Sequence, residues 1–249
     1  MPRAPETNDL RKVHAVQRHS DVSNVTKIDT TIGWYSPVRI PIPTVILASA
    51  ILLCGGSCST KKPSFRSECP SLDAGDYYFP KGVLDPSRPK VDEIIRDWYS
   101  KYLKAMMEPS LSCGARKGGF AYRFLWLRSF HHPIAVRVEN DGSAVTVNAV
   151  ELDGTGGSRP GGVVKRTQRI LSRAEQNQFL AQLNQVGVGE MQREAGRFGE
   201  DGAQWVLEGT ENDQYQVVQR WSPGPGAYRD LCDLLLNLAG LRIPVTEFY

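Results

Sequence analysis

The sequence predicts an α+β domain: an antiparallel sheet from two hairpins with helices packed on one face, preceded by a disordered leader and one short hydrophobic segment. Three observations predict this fold class. Three segments carry apolar residues at the three- and four-residue steps of an amphipathic helix. Two further segments each contain two extended stretches joined by a polar turn, which is the pattern of a β-hairpin. A single apolar run stands near the beginning of the chain, after a polar and charged stretch.

The beginning of the chain differs in composition from the rest. Residues 1–39 are rich in polar and charged side chains, and their apolar residues do not recur at regular helix or strand spacing, which predicts a disordered leader. Residues 40–59 contain the apolar run from Thr44 to Leu53, which is shorter than the roughly 20 residues of a membrane-spanning helix. With Arg39 before it and small residues after it, this run matches the hydrophobic part of a secretory signal or a membrane anchor.

The stretch from Leu52 to Cys58 resembles the bacterial lipobox, in which small residues precede a cysteine that becomes lipid-modified. The resemblance implies lipidation at Cys58 and a membrane-anchored protein of the bacterial cell envelope with an extracytoplasmic domain. The pattern prefers Leu at the position of Gly55, and the charged leader is longer than an ordinary signal peptide. Three alternatives therefore stay open: an uncleaved anchor, a buried helix of a cytosolic domain, and an intracellular protein.

Residues 60–89 are rich in Pro, Ser, Gly and charge, and we predict a tether that ends in a docked turn around 76–80. A single α+β domain then covers residues 90–249. In an oxidising compartment Cys69 and Cys113 are the favoured disulfide pair, while Cys232 lies in an apolar helical pattern and is expected to be buried.

The first helix is predicted over 91–107 and ends before Pro109. Its apolar stripe consists of Val91, Ile94, Ile95, Trp98, Tyr102 and Met106. The stretch from Tyr122 to Arg128 is bulky on both faces, which predicts a central strand that is covered on both sides.

Segments 134–139 and 144–150 flank Asp141 and Gly142, a strong signal for a hairpin with a two-residue turn. This turn predicts the strand register. The expected opposing residues are Val138 with Val145, Val136 with Val147, and Ile134 with Ala149.

The second helix is predicted to begin with a capping box formed by Ser172 and Glu175 and to end at Gly187. Its buried stripe is predicted to be Phe179, Leu180, Leu183 and Val186.

A second strand pair is predicted over 204–208 and 215–221, and a last helix over 227–239. Trp221 is expected to anchor the second hairpin onto that last helix.

Four stretches resemble a group of uncharacterised bacterial proteins, and the likeness extends over residues 91–249. The stretches are 122–133, 201–209, 215–223 and 235–241. The group has no assigned activity, so the resemblance implies neither a substrate nor catalytic residues.

Four arginines recur among the aromatic residues of the predicted strands and form a candidate anion-binding face. They are Arg123, Arg128, Arg137 and Arg220. The alternative is that each pairs with a neighbouring carboxylate such as Glu139, Glu151 or Glu208.

His131 and His132 are the candidate metal or acid-base residues, although adjacent histidines on extended chain point in different directions. No Cys or carboxylate stands at ligand spacing from them, so the sequence predicts no metal and no cofactor. The glycine-rich stretch 154–162 lacks the Gly-Lys-Ser/Thr of a phosphate loop and is interpreted as a surface loop.

The net charge of +3 is small and its cations are scattered, which argues against nucleic acid as a partner. We therefore expect a non-enzymatic, envelope-associated protein that binds a protein or envelope component and is attached to the membrane through its N-terminal segment. The alternatives are an envelope hydrolase that uses His131 or His132, and an uncleaved single-pass membrane protein. The sequence leaves open whether the inner or the outer membrane holds the anchor.

Overall fold

The computed structural model describes residues 77–113, 119–192, 194–195 and 199–249. The predictions for the leader, the hydrophobic segment, Cys58 and Cys69 lie outside the described residues, as does the expected Cys69–Cys113 pair. None of the described helices combines the length with the apolar character that crossing a membrane requires.

The described residues form an α+β domain, as the sequence predicts. Its helices and strands are α1 (Pro89–Ala105), β1 (Phe120–Arg128), β2 (Ile134–Asn140), β3 (Val145–Leu152), β4 (Val163–Ile170), α2 (Arg173–Val186), β5 (Glu194–Ala195), β6 (Ala203–Glu211), β7 (Gln214–Trp221) and α3 (Ala227–Leu238). Short 3-10 helices cover Val188–Glu190 and Val245–Glu247.

The strands form one sheet in the order β4-β3-β2-β1-β6-β7-β5. All neighbours are antiparallel except β5, which adds two residues parallel to β7. The sheet thus consists of more than the two predicted hairpins, because β1 joins them at the centre and β4 extends one edge. Every residue of β1 is buried, which confirms it as a central strand covered on both sides.

Helices cover both faces of the sheet, so the prediction that they pack on one face is wrong. Helices α2 and α3 pack with Phe124 and Trp126 of β1, whereas α1 packs with Leu125 and Leu127. The physical reason lies in β1 itself. Because successive side chains of a strand point to opposite faces, a strand that is apolar at every position needs a cover on each side.

The segment that leads into α1 is part of the core on the α1 face. Its Phe79, Val83 and Leu84 are at most 1% exposed. The buried carboxylate of Asp92 holds this segment, because it accepts hydrogen bonds from the backbone N–H groups of three residues. These donors are Gly82 at 2.8 Å, Leu84 at 3.0 Å and Asp85 at 3.1 Å.

The first hairpin has a four-residue loop, 141–144, instead of the predicted two-residue turn. Val138 therefore stands opposite Val147, and Asn140 opposite Val145. The Asp141 carboxylate stabilises the longer loop by accepting bonds from Ser143 N, Ser143 Oγ and Ala144 N. Since the register moves by two residues, every side chain keeps its predicted face.

The capping box of α2 is confirmed. Ser172 Oγ accepts from Glu175 N, the Glu175 carboxylate accepts from Ser172 N, and Gly187 ends the helix in the left-handed region with φ +59. Of the predicted stripe, Phe179 and Leu183 are buried, while Leu180 is 37% exposed. The first helix begins at Pro89 and ends at Ala105, slightly earlier than predicted.

Candidate functional site

An apolar cleft of about 350 Å³ lies beside the end of β1. The parts of the chain that line it are far apart in sequence: α1, the end of β1 with the residue that follows it, the glycine-rich loop 154–162, the segment 199–200, and Trp221 at the end of β7. The lining residues are Val91, Ile94, Ile95, Trp98, Leu127, Ser129, Gly156, Gly157, Gly199, Glu200 and Trp221. Solvent reaches the cleft, because Ile94 is 69% exposed and Glu200 is also exposed.

One face of α1 forms a wall of the cleft. Val91, Ile94, Ile95 and Trp98 are spaced by three and four residues and therefore share this face. The residues of the predicted helix stripe therefore have two different environments. Tyr102 and Met106 are buried in the core, whereas Ile94 is largely exposed at the cleft.

The glycine-rich loop forms a second wall and is bonded to α1. Trp98 Nε1 donates to the carbonyl oxygen of Gly156 at 3.0 Å. Tyr102 Oη contacts the same oxygen at 2.9 Å and that of Thr155 at 2.6 Å. Burial raises the pKa of Tyr102 from 10 to about 12, so its hydroxyl stays protonated and remains a donor even in mildly alkaline solution.

Gly156 lies too close to the backbone of β1 for any larger residue. Its N–H donates to the carbonyl oxygen of Arg128 at 2.7 Å. A Cβ atom at Gly156 would stand 2.4 Å from the carbonyl carbon of Leu127. At Gly157 a Cβ atom would make an ordinary contact of 3.6 Å with the oxygen of Ser129.

Five amide groups of the glycine-rich loop, including that of Gly156, donate hydrogen bonds to other groups of the protein. The N–H groups of Gly154, Thr155 and Ser158 donate to carbonyl oxygens of the same loop, and that of Gly162 donates to Asp153 Oδ1 at 2.7 Å. A phosphate-binding loop needs amides that point at the anion. This loop instead supplies a close-packed wall.

Trp221 forms the opposite side of the cleft, and the prediction that it anchors the hairpin onto the last helix is wrong. Trp221 stands opposite Gln204 in the sheet and lies on the α1 face, together with Val217 of the same strand. Its indole is packed closely by Gly199 and Gly202, where a Cβ atom would stand 2.4 Å and 2.9 Å from ring atoms.

Ser129 joins the segment after β1 to this side of the cleft. Its N–H donates to the carbonyl oxygen of Gly202 at 2.9 Å, and its Oγ accepts from Gly202 N at 3.2 Å. Ser129 and Glu200 are the polar side chains among the lining residues, apart from the indole nitrogens.

The four candidate anion-binding arginines do not share one surface. Arg123 and Arg137 contact Glu108, which follows α1, whereas Arg128 stacks on Trp126 and Arg220 stacks on Tyr228 on the opposite face. Because successive side chains of a strand point to opposite faces of the sheet, Arg123 and Arg128 lie on different faces. Arg128 also bonds Glu247 and the oxygen of His132, and Arg220 donates to the oxygen of Gln192 at 2.9 Å.

Arg123 is fully buried in an ion-pair cluster. It bonds Glu208 through Nε at 2.9 Å, and its Nη1 reaches Glu108 at 3.2 Å and the oxygen of Pro109 at 2.7 Å. Arg137 Nε donates to Glu108 at 2.9 Å and also pairs with Glu139. Burial by itself lowers the pKa of Arg123, but Glu208 and Glu108 outweigh it and raise the pKa above its ordinary value.

Two of the expected carboxylate partners, Glu139 and Glu208, thus pair with arginines, and Glu151 contacts a histidine instead. Glu108 bridges Arg123 and Arg137, although the sequence alone did not single it out. No local pattern marks Glu108, since its partners lie 15 and 29 residues away.

The two histidines have different partners. His131 Nδ1 lies 2.7 Å from Tyr249 Oη, and His132 Nδ1 lies 2.9 Å from Glu151 Oε1. The His132 side chain is 48% exposed, and neither histidine lines the cleft. Within the described ranges, no three His, Cys, Asp or Glu side chains are grouped as metal ligands.

Cys232 is fully buried in α3, as its apolar pattern predicts, and burial raises the pKa of its thiol. Cys113 is half-buried, and Ser112 Oγ donates to its sulfur over 4.0 Å.

Fold and cleft together define an α+β protein with an apolar, tryptophan-lined cleft beside an antiparallel sheet. No model of a known protein family matches this chain, and no curated protein sequence matches it either.

Proposed function

We propose that this chain is a non-enzymatic binding protein of the bacterial cell envelope, and that its cleft holds an apolar group of a protein or envelope component. The cleft is the observation that carries this proposal. Its volume of about 350 Å³ falls at the lower end of the range for ligand pockets. A single apolar side chain or a short stretch of acyl chain has a suitable size.

The chemistry of the lining supports an apolar ligand. Trp98 and Trp221 contribute large apolar surfaces, and Ile94 and Leu127 add aliphatic ones. Gly156, Gly157 and Gly199 have no side chains to occupy the cleft. Ser129 and Glu200 supply the few polar contacts that orient a ligand in such a pocket.

Binding can be tested with N-phenyl-1-naphthylamine, an uncharged apolar fluorophore, and the full chain. We expect saturable binding, which Ile94→Arg weakens by about tenfold, or about 1.4 kcal/mol. Ile170→Arg is the matched control because Ile170 is 67% exposed, close to the 69% of Ile94, and lies outside the cleft. Equal binding to both variants would sink the proposal.

Competition for the fluorophore site distinguishes a lipid component from a protein partner as the source of the apolar group. Displacement of the fluorophore by octyl glucoside below its micellar concentration, but not by an acetylated tri-leucine amide, would point to a lipid component. Displacement by the tri-leucine amide, but not by octyl glucoside, would point to a protein partner.

The envelope location rests on the lipobox resemblance at Cys58. We expect incorporation of radiolabelled palmitate into the wild type and into Cys54→Ala, and its loss in Cys58→Ala. Full-length, unlabelled chain in all three would remove the lipidation proposal and leave an uncleaved anchor or a cytosolic protein, which membrane fractionation distinguishes.

The alternative function, an envelope hydrolase, is supported by the 2.9 Å contact of His132 with Glu151, because a carboxylate orients a catalytic imidazole. The exposure of His132 and its absence from the cleft lining count against this alternative. Hydrolysis of p-nitrophenyl esters that His132→Ala abolishes and His131→Ala preserves would favour this alternative.

A further inference from the structure

Strand β4 forms an edge of the sheet that presents its backbone to solvent. It pairs with β3 on one side, and no described strand pairs with its other side. Seven of its eight residues are exposed, and Thr167 is half-exposed. An exposed edge strand is a template on which another extended chain can add by backbone hydrogen bonds.

The hydrogen-bond pattern shows which groups of β4 face outward. The N–H of Leu171, directly after β4, donates to the carbonyl oxygen of Val145 at 2.8 Å. In an antiparallel pair such bonds recur at every second residue, so Lys165, Thr167 and Arg169 bond to β3. The backbone N–H and C=O groups of Arg166 and Gln168 therefore point away from the sheet.

The side chains of this edge define the chemistry of a partner. Lys165 and Arg166 are exposed and form no ion pair with any described carboxylate. Arg166 donates to the oxygen of Met106 at 2.7 Å, which holds it on the α1 face, while Lys165 lies on the other face. Val164 and Ile170, which are 53% and 67% exposed, leave apolar surface near both ends of the strand.

We propose that the outer edge of β4 binds an extended, acidic peptide segment of a partner protein by strand addition. Backbone bonds to Arg166 and Gln168 would hold the segment. Glutamate or aspartate side chains would pair with Lys165 or Arg166, and apolar side chains between them would cover Val164 and Ile170. The same cations disfavour a second copy of this chain, because edge lysines and arginines oppose edge-to-edge pairing of like strands.

The probe is an acetylated octapeptide amide of alternating valine and glutamate, labelled for fluorescence anisotropy and titrated into the full chain. A peptide of alternating valine and lysine is its control. We expect the acidic peptide to bind at least about tenfold more tightly than the basic one. In the double variant Lys165→Glu, Arg166→Glu, the basic peptide should bind more tightly than the acidic one. Equal binding of both peptides, or of neither, would overturn the proposal.

A backbone variant separates strand addition from simple charge attraction. Gln168→Pro removes one outward N–H and keeps the cations, and edge strands tolerate proline. We expect it to weaken peptide binding by about tenfold while the circular dichroism spectrum and Tm stay close to those of the wild type. Unchanged binding would show that the edge is not used.

Amide hydrogen exchange on the wild type tests the same point without a substitution. The acidic peptide should slow exchange at Arg166 and Gln168 by at least about tenfold and leave Lys165 and Thr167 unchanged. The absence of this alternation would contradict strand addition. Protection of Arg166 and Gln168 without peptide, rising with protein concentration, would also overturn the proposal by identifying a second copy as the occupant.

Discussion

The indole N–H of Trp98 donates to the carbonyl oxygen of Gly156, which lies 58 residues later in the chain and 3.0 Å away. This bond joins α1 to the glycine-rich loop across the end of β1. It fixes the spacing between two walls of the cleft and at the same time satisfies the buried carbonyl group of a loop that has no side chain of its own there.

Gly156 and Gly157 should respond differently to the same substitution. Gly156→Ala places a methyl group 2.4 Å from the backbone of Leu127, so the loop must move away from β1. Gly157→Ala makes an ordinary contact of 3.6 Å. We expect Gly156→Ala to lower the free energy of unfolding by about 2 kcal/mol or more and to weaken binding of the naphthylamine probe. Urea unfolding measures the first effect, and similar losses for both variants would contradict the close packing.

Arg123 should be essential for stability because it neutralises two buried carboxylates. Arg123→Met nearly keeps the volume but leaves Glu208 without a cation and Glu108 with Arg137 alone. We expect a loss of about 3–5 kcal/mol in urea unfolding. Glu208→Gln in the same background should recover part of this loss.

Lys165→Met is the control for Arg123→Met. The Lys165 ammonium group is exposed and makes no ion pair with a described carboxylate. We therefore expect Lys165→Met to change the free energy of unfolding by no more than about 0.5 kcal/mol. A similar cost for both variants would mean that the Arg123 cluster does not stabilise the fold.

The capping box of α2 should make stability depend on pH. Hydrogen bonds from Arg169 and Ser172 lower the pKa of Glu175 to about 2. A carboxyl group with a lowered pKa in the folded state stabilises that state above its unfolded pKa of about 4.3, and this contribution fades as the pH falls towards 2. We expect Glu175→Gln to lower Tm at pH 7 and to have a shrinking effect between pH 5 and pH 3.

Glu93→Gln is the control for this pH dependence, since Glu93 is an exposed glutamate near the beginning of α1. Its effect on Tm should be small at every pH. Ser172→Ala, which removes the reciprocal bond of the cap, should cost about 1 kcal/mol. A constant difference between Glu175→Gln and the wild type from pH 7 to pH 3 would contradict the capping role of the carboxylate.

The sequence predicted the features that depend on neighbours along the chain. The capping box of Ser172 and Glu175, the glycine end of α2 and the face of each hairpin side chain follow from spacings of a few residues, because helical and strand periods are local properties. The hairpin register was missed by two residues. The bonds of the Asp141 carboxylate, rather than the Asp-Gly pair alone, set the loop length.

Tertiary packing decided the candidate site. Trp98, Gly156 and Trp221 belong to a helix, a loop and a strand, and each has an ordinary local explanation in the sequence: a core stripe, a surface loop and a hairpin anchor. The four arginines looked like one surface, yet the period of two and the sheet order placed them on opposite faces. By itself the sequence determined which elements form and which residues share a face. Only the folded sheet, with a helix on each side of β1, decided which distant residues meet, because convergence depends on packing between elements and not on the pattern within any one of them.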